Sequence, residues 1–221
     1  MLAYHCIFGM YGFWLPNDPR GSGSDYVAVW ELFRYGPATK TNSRRSVAGR
    51  AHDVSLRLAA KESLKYPPVM LSESQRATAV SGFAVAGREC NYCIHACDIM
   101  PDHVHLVVGS HVRKIRQICG HLKSQATRAL KAAELWPNSE RPIWGEHGWD
   151  VFLDDVAAVE RGIAYAEDNP RKEGLPLQQW PFVQPFDVRT AISMSVPHVK
   201  RQTLGGAALR SQQEARRKRR D

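Results

Sequence analysis

The sequence predicts an α+β sandwich, an antiparallel sheet with its helices on one face, in the outline of ferredoxin-like domains. Three observations lead there. Segments of strand and helix periodicity follow one another as strand, helix, strand, strand, helix. The two middle strands are joined by a tight Pro101-Asp102 turn, which makes them antiparallel neighbours. The 221 residues, 43% hydrophobic, suffice for one domain core with extensions.

Ala3 to Leu15 is apolar and aromatic and reads as the first strand. The run Pro16-Asn17-Asp18-Pro19-Arg20-Gly21-Ser22 ends it as a turn. From there to Pro68 the pattern is weak, so residues 21–68 read as an inserted loop, long enough to suggest a function of its own. Ser72 begins a helix, with Gln75 placed for a capping box and Ala77, Val80, Phe83 and Ala84 at helical spacing. Gly87 is the expected stop.

Cys90 to Met100 and His103 to Gly109 read as the paired strands. Lys114 to Leu135 is an amphipathic helix with Ile115, Ile118, Cys119, Leu122, Ala126 and Ala129 on its apolar side. Arg141 to Phe152 reads as a connection with short strands. A last helix runs from Asp154 to about Asp168, with Pro170 ending it. The domain thus spans residues 1–180, and 181–221 form a basic, mobile tail.

The net charge of +8 is unevenly placed. From His198 onward there are eight Lys/Arg against two acids. A second basic stretch holds Arg113, Lys114, Arg116, Lys123, Arg128 and Lys131 with no acid between them. Such stretches attract polyanions in a salt-sensitive way. No run of eighteen apolar residues exists, so no membrane partner is expected. Five cysteines and no leader pattern suggest a reducing cytoplasm. Cys90, Cys93 and Cys97 lack the second pair of a zinc site.

His103 and His105 stand two apart in a strand, so both imidazoles share a face and can reach one ion, while Val104, Leu106 and Val108 face the core. Paired imidazoles suit borderline divalent metals. On the last helix Val156, Val159, Ile163 and Ala166 form the apolar stripe, and Tyr165 lies roughly 140° from its centre at 100° per residue. Ala158 and Gly162 nearby are small and leave room for a substrate. A phenol is a usable nucleophile, but it titrates near pH ~10 when free and needs a metal or similar group to polarise its target.

The stretch Met100-Pro101-Asp102-His103-Val104-His105-Leu106-Val107-Val108 resembles the His-hydrophobic-His signature of HUH-type single-tyrosine transposases. Tyr165-Ala166-Glu167-Asp168-Asn169-Pro170 resembles their Tyr-x-x-x-Asn-Pro signature, and the opening Trp14-Leu15-Pro16-Asn17-Asp18-Pro19 is similar to a subgroup of the REP-associated branch. The resemblance covers roughly residues 3 to 175. The family usually has Asn where this chain has Asp102.

The resemblance implies a ferredoxin-like catalytic domain that cleaves and rejoins single-stranded hairpin DNA. Tyr165 would be the nucleophile, forming a 5′-phosphotyrosine link, and His103, His105 and Asn169 would hold a divalent metal, Mg or Mn. A bacterial, nucleoid-associated cytoplasmic protein acting as monomer or homodimer is implied. From charge and helix placement, Lys114, Arg116, Lys123 and Arg128 are the expected DNA contacts, with Trp144, Trp149 and Trp180 as candidates for base stacking. The alternatives are a repeat-hairpin binding protein without catalysis, and a phosphodiesterase that uses water in place of Tyr165.

Overall fold

Four strands form one antiparallel sheet in the order β2-β3-β1-β4: β1 Ala3–Met10, β2 Ile94–Ile99, β3 His103–Gly109 and β4 Trp144–Leu153. The computed structural model describes residues 1–18, 30–36, 51–138 and 140–189. Helix α2 (Glu73–Cys90) joins β1 to β2, and α3 (Ile115–Ala132) joins β3 to β4. That connectivity and strand order are the ferredoxin-like arrangement expected from the sequence. Within the stretch expected as a loop lie a short 3-10 helix, Trp30–Tyr35, and α1, Val54–Glu62. Asp53 caps α1 by accepting the Leu56 N–H, a signal weaker than the capping box that starts α2.

Alternation along β1 decides the layers. Tyr4, Cys6, Phe8 and Met10 join the main core, as do Val104, Leu106 and Val108 of β3. Phe8, Phe83 and Trp144 meet there as a ring cluster, Phe8 edge-on to both partners, and Cys6 and Cys119 share a hydrogen bond at 2.9 Å. This face is covered by α2 and α3. The two helices touch closely because Gly82 faces Ala126: a Cβ at Gly82 would lie 2.5 Å from the Ala126 Cα.

The opposite face carries Ala3, Ala96, Val107 and Leu153, and it is covered by α4 (Val156–Lys172) through Val159 and Ala166, so helices lie on both faces of the sheet and not on the one face expected from the sequence. Gly162 is buried beneath this helix, where a Cβ would come within 3.2 Å of Leu153 and 4.0 Å of the His5 Cβ. Its smallness therefore brings α4 down onto the sheet. The expectation that Gly162 clears space for a substrate is corrected accordingly.

Four boundaries differ from the sequence reading. The first strand ends at Met10, and Gly12 turns the chain at φ 80°. Helix α2 passes through Gly87 and ends at Asn91, whose φ of 53° is the left-handed cap. The segment read as a connection is the ten-residue strand β4, and its Gly145 and Gly148 lie against β1 carbonyls: a Cβ at Gly148 would be 2.9 Å from the Ile7 oxygen. Helix α4 continues to Lys172 with Pro170 inside it, in the last turn.

Past α4 the chain returns along β2. The Gln178 amide donates to the Ile99 carbonyl and accepts from the Ile99 N–H, and the Gln184 N–H donates to the Ile94 carbonyl. Trp180, Phe182 and Val183 pack on the main core. The stretch expected as a tail is thus ordered against the sheet through at least Gln184, while its basic end from His198 lies outside the described residues.

Candidate active site

The face beneath α4 collects the titratable side chains. β3 supplies His103 and His105, and β1 supplies His5. His105 is paired in register with Ile7 of β1 and Asp98 of β2, which puts His5, His105 and Asp98 on one side of the sheet. Helix α4 brings Tyr165 and Asn169, one turn apart, over that side.

The two strand histidines present their Nε2 atoms to each other at 3.1 Å. The His103 Nδ1 lies 2.7 Å from the Asp102 carboxylate, so its proton is donated there and its Nε2 lone pair points inward. The His105 Nδ1 lies 3.2 Å from the His5 Nε2. The Asn169 amide is buried, its Nδ2 3.4 Å from the His103 Nε2; turned over, the amide offers Oδ1 at that place. Phe13 stacks on the His103 ring at 4.8 Å between centroids. Gly9 stands opposite His103 in register and makes room for that ring: a Cβ at Gly9 would meet Phe13 at 2.5 Å.

Tyr165 is 42% exposed, so its ring is reachable from solvent. The ring lies edge-on to His105 and His5, with centroids 5.4 and 5.7 Å away. Lys172 places its ammonium 4.7 Å from the Tyr165 ring centroid and bridges to Asp168 at 3.1 Å.

Burial dominates the electrostatics of this face. It pushes His5 down to about 4 and His105 well below the ordinary histidine range, the latter aided by His103, His5 and Lys172. Both rings are therefore neutral at pH 7, as metal ligation requires. Burial raises the Asp98 carboxyl to about 7, helped by Glu167, and its Oδ2 has no hydrogen-bond partner among the described residues.

The donor set fits a divalent cation. The His103 and His105 Nε2 atoms lie 3.1 Å apart, and neutral imidazoles so placed would hold a borderline divalent metal. Asn169 completes a third side with a neutral amide.

The basic residues are arranged differently. Helix α3 covers the other face of the sheet, so a strand of DNA touching it and the histidines together would have to pass around the sheet. Lys114, Arg116 and Arg128 are exposed there. Lys123 is half-buried, donates to the Gly145 carbonyl at 2.8 Å and sits over the Phe8 ring, which sets it apart from the others. Trp144 is a core residue whose Nε1 donates to Thr127. Trp180 packs on the main core as well. Trp149 is half-buried and faces Ile7 in register, in the cross-strand row that contains His105.

Residues 65–152 match the family model described as Transposase IS200 like. That part of the chain is similar to the IS200-like transposases. The matched region contains His103 and His105 and stops before α4, so Tyr165 and Asn169 lie beyond it. Two solved structures are similar to the chain. One is a REP-associated tyrosine transposase bound to a REP hairpin, at 13% identity over 84% of this chain and 86% of that one, with a TM-score of 0.44. The other is described as a transposase from Deinococcus radiodurans, at 13% identity over 74% and 89%, with a TM-score of 0.36. No curated protein matches the chain. Among the described residues no helix is long and apolar enough to cross a membrane.

On the sequence alone His5 of the first strand could approach the site, with a structural role the commoner reading; the β1–β3 register puts it beside His105. Phe13, which carries no motif of its own, was missed.

Proposed function

We propose that the chain cleaves and rejoins single-stranded, hairpin-forming DNA, with Tyr165 as nucleophile. The observation that carries this reading is the exposed Tyr165 ring against His105 on a helix that also delivers Asn169 to His103. The IS200-like region supplies the transposase class.

In the step proposed, the phenol loses its proton and its oxygen attacks a backbone phosphorus. A phosphotyrosine bond forms at the 5′ side, the bond to the 3′ oxygen breaks, and that oxygen leaves as a hydroxyl after taking up a proton. Attack by a 3′-hydroxyl reverses the exchange, so no nucleotide hydrolysis is needed. A divalent metal, Mg or Mn, held by His103, His105 and Asn169 would draw charge from the phosphoryl oxygens. Asp102 and His5 orient the two rings, and Phe13 shields the face of His103 from water.

Lys114, Arg116 and Arg128 are the proposed phosphate contacts, and Trp149 is the proposed stacking residue, because it alone of the three tryptophans shares the histidine face without joining the main core. Lys123 is proposed as a packing residue.

The test is incubation with labelled hairpin DNA and Mn²⁺, followed by mass analysis of the protein. Wild type is expected to carry DNA on Tyr165, and Tyr165→Phe to bind the hairpin without any adduct. A covalent adduct at full yield in Tyr165→Phe would end the nucleophile assignment. Cleaved products with no protein-linked DNA would point to water as nucleophile. Hairpin binding without cleavage would point to a binding protein.

A further inference from the structure

We infer that His5 sets the tautomer of His105, accepting its Nδ1 proton and so holding its Nε2 lone pair toward His103. This deepens the proposed metal-dependent reading and rests on it for its consequence, but the hydrogen bond itself does not.

A neutral imidazole has one N–H and one lone pair, so fixing one nitrogen fixes the other. If His105 carried its proton on Nε2, that N–H would aim at the His103 Nε2, 3.1 Å away, and the ring could not bind a cation there. If the proton is on Nδ1, it meets the His5 Nε2 at 3.2 Å and the inward lone pair is free. His103 receives the same service from Asp102, at 2.7 Å. The two rings of one pair are thus oriented by two different acceptors.

The difference follows from depth. Asp102 and His103 sit at the rim, both partly exposed, where a carboxylate keeps some hydration. His105 is 3% exposed and His5 7% exposed, so a carboxylate at position 5 would be an unsolvated charge. An imidazole accepts the same proton without charge. Its position is also fixed: it lies under α4 at the Gly162 approach, with Tyr165 edge-on to it. An acceptor so placed holds its partner ring in one orientation.

The measurement is made on the full, ¹⁵N-labelled chain by long-range proton–nitrogen correlation of the histidine side chains. Wild type is expected to show His105 protonated at Nδ1. His5→Phe, which keeps a ring and removes the acceptor, is expected to move that proton to Nε2 at least in part. Its affinity for Mn²⁺, read by titration of Mn²⁺ alone, is expected to fall about 10–100-fold. His5→Gln, which restores an acceptor oxygen, is expected to recover most of that affinity. A purely structural His5 would change thermal stability in both variants and leave the tautomer and the Mn²⁺ affinity of the folded protein unmoved.

His105 protonated at Nε2 in wild type overturns the inference, and so does wild-type Mn²⁺ affinity in His5→Phe. Should His5→Phe fail to fold, the wild-type tautomer and His5→Gln still decide. If wild type binds no Mn²⁺ at all, the metal reading fails by itself, and the tautomer measurement judges His5 separately.

Discussion

Tyr165 stands edge-on to His105 of its own chain, the centroids 5.4 Å apart and the ring planes at 67°. The candidate nucleophile and the candidate ligands therefore come from one polypeptide. Mixing Tyr165→Phe protein with His105→Ala protein is expected to restore no DNA adduct. A site shared between two chains would regain up to about a quarter to a half of wild-type adduct in such a mixture, since some mixed dimers would hold one intact site. Gel analysis of the adduct across mixing ratios separates the two arrangements.

Lys172 rests its ammonium 4.7 Å from the Tyr165 ring centroid, about two turns along the same helix. A cation there favours negative charge developing on the phenol oxygen. Lys172→Met is expected to slow adduct formation roughly two- to fivefold at saturating DNA, the size of a partly exposed cation–ring contact. Lys172→Arg should lose less. An unchanged rate in Lys172→Met would leave the lysine with only its bridge to Asp168.

Asp98 and His5 tilt the stability of the fold against pH in opposite senses. The Asp98 carboxyl titrates near about 7 when folded, above its ordinary 3.8, so the folded state holds the extra proton between those values and stability falls as pH rises through that window. His5 titrates near about 4 when folded, below its ordinary 6.5, so the unfolded state takes up the proton and stability falls as pH drops from 6.5 toward 4. The two slopes offset each other across most of that range. Asp98→Asn is expected to raise stability at pH 8 by on the order of 2 kcal/mol and to show little gain near pH 4. His5→Gln is expected to leave the downward slope of Asp98 exposed. Urea unfolding between pH 4 and 8 reads both, and parallel curves for all three proteins would contradict this account.

Gly82 is needed for its missing side chain. Its Cβ would strike the Ala126 backbone at 2.5 Å, and neither helix can yield without moving the other. Gly82→Ala is expected to cost about 1–3 kcal/mol or more in chemical denaturation. Gly120 is the control: it lies in α3, exposed, with nothing within 4 Å of its would-be Cβ. Gly120→Ala is expected to stabilise by about 0.5–1 kcal/mol.

Much of the site was readable because strand geometry is rigid. Two residues apart means one face, so His103 and His105 could be paired before any coordinates, and Val104, Leu106 and Val108 assigned to the core. Tyr165 was legible as an aromatic off its helix's apolar stripe. His5 was readable only as a first-strand residue that could approach the site, because which β1 residue lies beside His105 depends on inter-strand register, and apolar residues on both sides of β1 fit several registers. β4 was hidden by Gly145 and Gly148, which read as loop residues but serve close approach to β1 carbonyls. The end of α2 was misplaced for the converse reason: Gly87 is tolerated inside the helix, and Asn91 can adopt the left-handed cap nearly as well as glycine. The place of α4 across from α2 and α3 is also beyond periodicity, which gives a helix its apolar stripe but not the layer that receives it.

The return of the chain along β2 has a bearing on assembly. An outer strand with bare N–H and C=O groups invites a strand from another molecule. Here the Gln178 side chain answers both backbone groups of Ile99, acting as a one-residue imitation of a neighbouring strand, and Gln184 takes the Ile94 carbonyl. That rim of the sheet is already spoken for by its own polypeptide. Continuing the sheet outward from β2 into a second copy would therefore first require peeling away the segment that follows the tyrosine helix.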